Sequence, residues 1–345
     1  ASFNIGFDGT LLNDKLYASF DYFNKVTSRI LLDPVYPSVL GTTVGTENAG
    51  EMQNQGWEFT VGYRTTTDEF RHDVSFNIAD SKNKMLIYKG YEVIHSNDDM
   101  SQIIRVGTPI ASYFGYKTDG YFKSFEDIQN SAIPVGMDAS QLAPGDVKYV
   151  DINNDGVIDP KDRQILGNAF PRYTFGVNYN LTWKGFDLNM LINGVGQRTM
   201  YLRGELIEPF HANYSYTMYQ HQLDFWTPVN TDARWPRLAL AGSTSNLNNY
   251  GYSSDIHVLN AAYVRLKNIA IGYTIPKNIT SKLGIQKLHL SVNAQNLLTL
   301  SSLTFFDPES TEFGSDMGGP NGTGANSGRS YPTLKYVGFG LDLEF

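Results

Sequence analysis

The sequence contains no cysteine, so no disulfide framework can hold it. A cysteine-free chain of 345 residues suits a bacterial protein that crosses an oxidising periplasm. Positive charge is scarce: charged residues make up 18%, the net charge is −8 and no basic run occurs, which argues against a nucleic-acid partner. Long apolar runs are missing as well, and no stretch approaches the roughly 18 residues of a transmembrane helix. The opening ASFNIGFDG has neither the basic start nor the apolar segment of a signal peptide. It begins in what reads as a strand, as expected of a piece of a longer protein. Catalytic signatures are absent too. There is no GxSxG or HExxH, and the histidines at 72, 95, 211, 221, 257 and 289 stand alone, so no nucleophile, base and orienting group come together and no enzyme is expected.

What the chain has in quantity is tyrosine (22), phenylalanine (20) and glycine (32), at a mean hydropathy of −0.30. That mixture suits a β-rich surface, half apolar and half wet. In RYTFGVNYNLTWK, Tyr173, Phe175, Val177, Tyr179, Leu181 and Trp183 share one face, while Thr174, Gly176, Asn178, Asn180 and Thr182 share the other. Alternation of this length means a strand with one apolar and one polar side. Gly185 allows a tight turn, and Phe186, Leu188, Met190 and Ile192 resume the pattern. The same grammar predicts strands near 2–9, 15–24, 56–65, 69–79, 172–183, 186–195, 262–274, 287–296 and 335–345. In AAYVRLKNIAIGYTIP the parity slips near Lys267, as at a bulge or the membrane rim.

Segments of about ten residues with such alternation are what a tilted strand needs to span an outer membrane. The expected fold is therefore all-β, an antiparallel transmembrane β-barrel portion with long extracellular loops. Short connections fall near 10–14, 66–69, 184–185 and 275–286, and long ones near 25–56, 81–171, 195–261 and 297–334. Placing short turns in the periplasm and long loops outside makes the sides alternate consistently. The extended piece SYFGYKTDGYF (112–122) then belongs to an external loop or has an unrecognised partner strand. Nine strands is an odd number where single-chain bacterial barrels close with an even one, so further strands are expected upstream of Ala1. A soluble β-sandwich also alternates, with shorter strands and more even loops.

The stretch DINNDGVIDPKD has the spacing of a calcium loop. Ligands at positions 1, 3, 5, 7, 9 and 12 fall on Asp151, Asn153, Asp155, the Val157 carbonyl, Asp159 and Asp162, with Gly156 at the sharp turn. Position 12 is Asp rather than Glu, which reaches the ion less well. GDVKYV before it looks extended and Pro160 sits inside it, so this is the loop without flanking helices. The expectation is a structural Ca²⁺ stiffening the external 81–171 loop; the alternative is a set of Asx turns that bind nothing.

At this point the residues resemble a known family. GDVKYVDINNDGVIDPKDRQILGNAFPRYTFGVNYNLTWKGFDL is similar to the signature of SusC/RagA-type TonB-dependent outer-membrane transporters of Bacteroidetes. NAGEMQNQGWEF (48–59), GYKTDGYF (115–122), FWTPVNTDARWPRL (225–238), YVRLKNIAIGYTIP (263–276), NAQNLLTL (293–300) and the terminal Phe345 agree in family order. The resemblance is to the C-terminal part of such transporters, with no counterpart here of their N-terminal plug. It implies about nine strands of a 22-stranded barrel in the outer membrane, closed outside by a SusD-like surface lipoprotein. It further implies uptake of a large nutrient, a glycan or a peptide, driven by TonB–ExbB–ExbD through the plug.

Long loops on a rigid barrel are where binding residues concentrate. IEPFHANYSYTMYQHQLDFW (207–226) offers Phe210, Tyr214, Tyr216, Tyr219 and Trp226 as aromatic faces for sugar rings or peptide side chains. Packing against neighbouring loops is the plainer use for any one of them. The Gly-rich 314–330 lacks the strand–loop–helix setting of a nucleotide site. The rival to a transporter is a secreted calcium-dependent β-sandwich binding module, which explains the metal loop and the aromatics but not the terminal strand.

Overall fold

A computed structural model describes residues 1–345 apart from 35, 37–38, 40, 42–44, 68, 98–99, 211–216 and 311–332, and apart from the side chains of 93–97, 100, 205 and 283. Nine strands form one sheet in chain order: Ser2–Leu11, Leu16–Leu32, Glu47–Thr66, Phe70–Tyr88, Arg172–Trp183, Phe186–Gln197, Tyr263–Thr274, Lys287–Ser301 and Tyr336–Glu344. Each runs antiparallel to the next. The tightest hairpin is Lys184-Gly185, where Trp183 pairs with Phe186 and both turn residues have positive φ (+47° and +88°). That geometry matches the twist of the flanking strands.

The alternation decides which side each residue faces. Phe3, Ile5, Phe7, Ile271, Leu290, Val292, Phe339 and Leu341 all lie on the apolar side, with exposures from 44% (Val292) to 85% (Phe339). No second sheet covers this face among the described residues, so it is not half of a sandwich; it is a surface for lipid. Aromatic rings gather at the short-turn end. Phe186 and Tyr273 stand 4.4 Å apart, and Tyr63, Phe70 and Tyr179 surround His72. Rings with an apolar body and a polar edge suit the membrane–water boundary. From Trp183 to Tyr173 is about ten residues, or ~33 Å of strand at ~3.3 Å each, which at ~40° of tilt spans ~25 Å of membrane.

The strands outrun the sequence expectation on the long-loop side. Pairing continues to Leu32 and from Glu47, through Ile30 opposite Gly50 and Leu32 opposite Glu47. It also extends to Tyr88 and to Ser301. These ribbons leave the bilayer, so neither face must be apolar and the alternation that marks a strand in sequence disappears. The parity slip is a bulge: Leu191 pairs with Asn268 and Ile192 with Leu266, leaving Lys267 unpaired.

Beyond the sheet lies an external layer with cores of its own. Ser112–Tyr116 is strand, as expected of SYFGY, and its unrecognised partners are Arg163–Gly167 and Met100–Ile104, the latter pairing on with Val93–Asn97. One apolar cluster gathers Met200, Leu202, Ile207, Trp235, Tyr250 and Leu259. Another gathers Tyr116, Val147, Tyr149 and Ile158. Most fully buried apolar side chains belong to this layer. Among the described residues no helix is long and apolar enough to cross a membrane.

Candidate functional site

The acidic loop follows the short strand Val147–Tyr149 and ends in the 3₁₀ turn Pro160–Asp162, so it carries no flanking α-helices. Its side chains fold onto their own backbone. Asp151 accepts from the amides of Asp155 (3.3 Å) and Gly156 (2.8 Å). Asn153 accepts from Asp155 N–H at 3.0 Å, and Asp155 from Val157 N–H at 3.2 Å. Asp159 caps the turn by accepting from Lys161 N–H, and Lys161 Nζ lies 3.4 Å from its carboxylate. Asp162 is fully buried, with oxygens accepting from Ile152 and Asp159 N–H at 2.9 and 2.8 Å. Hydrogen bonding to Asn153 holds the Asp155 carboxyl below the usual range. Gly156 takes φ +87°, the conformation the turn requires.

Can these residues hold an ion? The donor set is all oxygen, as calcium prefers. Among the described residues, no three acidic or histidine side chains are grouped as a metal site. An ion would have to draw Asp151, Asp155 and Asp159 away from the backbone amides they now satisfy.

The aromatic candidates are not one cluster. Phe210 is 38% exposed, and its amide bonds the Thr217 carbonyl. Tyr219 stacks on His221 (5.9 Å between centroids), and His221 stacks face to face on Phe305 at 3.8 Å. Burial lowers the His221 pKa, which suits an imidazole sandwiched between rings. Trp226 lies elsewhere, in the wall of a cavity of about 540 Å³ shared with Tyr121, Asp119, Lys123 and Asp232. Tyr214 and Tyr216 lie outside the described residues. Tyr121 is fixed by its hydroxyl, which donates to the Arg234 carbonyl at 2.8 Å, and burial raises its pKa. Trp226 is fixed by Gly145 (φ +93°), where a Cβ would overlap the indole. The spacing that singled out Trp226 could not show its neighbours in this wall, because Asp119 and Tyr121 come from a different connection.

Two charge networks hold the layer in place. Asp146, fully buried, accepts from Arg237 Nε (2.7 Å), Ser245 Oγ (2.6 Å), Asn249 Nδ2 (3.1 Å) and Ala143 N–H (2.8 Å). Arg265, 3% exposed, bonds Asp307 and Glu309, while Lys267 at the bulge also bonds Glu309 at 2.8 Å. That network ties the 302–310 segment to the strand below it, and the alternation gave no sign of it. The strand histidines have packing roles: His72 sits among rings, and His289 lies between Asp187 (2.8 Å) and Asp342 (3.2 Å). Gly272 leaves the room for that pair, since a Cβ there would overlap His289 Nε2 and Asp187.

No protein-family model matches the chain. Individual proteins do. TonB-dependent receptor P3 of Formosa agariphila is 30% identical over 99% of this chain and 34% of its own length. TonB-dependent receptor SusC of Bacteroides thetaiotaomicron is 24% identical over 100% of this chain and 32% of its own. The chain thus spans about a third of the length of the curated relatives it matches. Among solved structures, the RagAB peptide transporter superposes with a TM-score of 0.69 at 21% identity, over 100% of this chain and 35% of that one. Likeness along the whole chain and a nine-stranded sheet with its apolar side uncovered agree: the chain has the fold of an outer-membrane β-barrel portion and is similar throughout to TonB-dependent receptors, SusC among them.

Proposed function

We propose that the protein to which this barrel belongs imports a large nutrient, a glycan or a peptide, across the outer membrane. A SusD-like surface lipoprotein closes over its external face, and TonB–ExbB–ExbD supplies the energy. The observation that carries this reading is the division of the chain. One sheet meets lipid with a continuous apolar face, and its long connections fold outside into a layer with its own cores. A barrel wall needs only the first; a device that captures a ligand or seats a lid needs the second. In this reading Trp226 and Tyr219 offer rigid rings to the ligand, with Phe210, Tyr214 and Tyr216 on the same connection.

Calcium in the 151–162 loop is part of the proposal as a structural ion. Asp151, Asn153, Asp155, the Val157 carbonyl, Asp159 and Asp162 would hold it. Because the carboxylates must first leave their backbone partners, binding is expected to be weak. Elemental analysis finding no calcium, with no change in melting on adding it, removes the ion from the proposal.

The import reading is tested by purifying the native complex from outer membranes in mild detergent and weighing the assembly and its denatured chains. Co-purification of a lipoprotein, with TonB-dependent uptake of a glycan or peptide by the intact cells, supports it. A protein that extracts without detergent and has no lipoprotein partner overturns it.

A further inference from the structure

The external cavities differ in the charge they present. The one beside Trp226 sets Asp119 and Asp232 against Lys123. A second, of about 330 Å³, lies where the outer ends of Phe70–Tyr88 and Phe186–Gln197 meet the sheet of Ser112–Tyr116 and Arg163–Gly167. No acidic residue lines it. Its polar wall carries Lys82, Arg172, Arg198, Asn83 and Gln197, with Phe170 at the mouth. In a chain of net charge −8, a pocket with three cations and no anion stands out.

The three cations are not equivalent. Arg172 grips Asp80 through Nε and Nη2 and is neutralised. Lys82 is exposed and forms no ion pair among the described residues, although the Asp80 carboxylate held by Arg172 lies within its electrostatic reach. Arg198 is the unusual one. Its Nη1 donates to the Pro308 carbonyl at 2.6 Å, whereas its Nε is buried with no hydrogen-bond partner. The acids in its vicinity, Asp307 and Glu309, are already committed to Arg265 and Lys267. Burial pulls the Arg198 pKa below its ordinary value, as it does for a cation without a counter-ion. A half-buried guanidinium lacking an anion is costly, and an arriving oxyanion offsets that cost. Nε is closed off from the cavity, and Nη2, for which no partner is seen among the described residues, is the N–H left to give a carboxylate or sulfate oxygen a charge-assisted hydrogen bond. Asn83 adds a donor: its oxygen is used by Ile110 N–H at 2.8 Å, leaving its NH₂ group.

We propose that this cavity is a subsite for an oxyanion group of the imported ligand, a carboxylate or a sulfate, held between Lys82 at the mouth and Arg198 within. The inference rests on the importer reading above. It gives the ligand a charge and locates the residues that select for it.

The test uses the full-length transporter in detergent and four probes: a neutral tetrasaccharide, the same with one uronate, the same with one sulfate ester, and a glutamate tetrapeptide. At least one anionic probe is expected to bind about tenfold or more tightly than the neutral sugar, with affinity falling as salt rises. Which probe wins identifies the source of the anion. Arg198→Gln and Lys82→Gln should each remove most of that preference, and Arg198→Lys should restore part of it. Should Arg198→Gln fold poorly, the exposed Lys82→Gln carries the test. Equal binding of neutral and anionic probes, or a preference that survives both substitutions, overturns the subsite. Uptake and lipoprotein pairing are measured on the same variants. If both persist without anion preference, the subsite fails alone, whereas their absence in the unaltered protein removes the importer reading.

Discussion

The membrane sheet and the external layer obey different rules. Between its two edge strands, Ser2–Leu11 and Tyr336–Glu344, the sheet pairs its backbone with the neighbouring strands, and each side chain faces either lipid or the polar side. Hardly any residue there is fully buried; the core of this protein lies outside the membrane. The external layer instead closes through contacts between distant segments. Asp146 meets Arg237 and Asn249, and Tyr149 donates to the Asn248 carbonyl at 2.6 Å. One region is organised by its solvent, the other by particular partners. Damage should follow the same division.

The largest effect is expected at the partner-organised hub. Asp146→Ala leaves Arg237, Ser245 and Asn249 without their shared acceptor and should destabilise the layer by ~3–5 kcal/mol. Limited proteolysis would show the external connections cut while the barrel keeps its heat-dependent gel shift. Loss of the gel shift as well would mean that the two regions fold as one. Next comes a paired test within the sheet. Val177→Arg puts a charge on the lipid side near mid-strand and should cost ~2–4 kcal/mol, whereas Asn178→Arg on the polar side should cost far less. Equal folding yields for the two in denaturant titrations would contradict the assignment of faces.

A smaller effect is expected at Gly145. Its φ of +93° and its contact with the Trp226 ring make Gly145→Ala cost ~1–3 kcal/mol, seen as faster hydrogen exchange around Tyr121 and Trp226. The smallest is a pH effect. His257 is fully buried, and desolvation, with the Arg203 charge beside it, holds its pKa well below the ordinary value. The folded layer therefore refuses a proton that the unfolded chain accepts. Stability is full above ~6.5 and falls as pH drops below it, by at most ~1.4 kcal/mol per pH unit. Hydrogen exchange of the external layer at pH 7.5 and 5.5 should show that loss, and His257→Gln should flatten it.

By itself the sequence determined the membrane sheet: all nine strands, their order, the lipid side and a parity slip near Lys267, which it left open between a bulge and the membrane rim. Lipid and water impose a period of two, and that period is printed in neighbouring residues from Phe3 to Phe345. It also marked the acidic loop, whose ligand-like spacing is local, and Trp226 as a ring on a long connection. Only the tertiary structure decided what stands beside them. The continuation of the ribbons to Leu32 and Tyr88 leaves no alternation, because both of their faces are in water. Asp119 and Tyr121 reach Trp226, Asp307 reaches Arg265, and Lys82 shares a cavity with Arg198, each across dozens of intervening residues or more. Such meetings follow from how loops fold over a rigid rim. Burial, counter-ions and cavities are properties of those meetings, so no periodicity within a single segment can announce them.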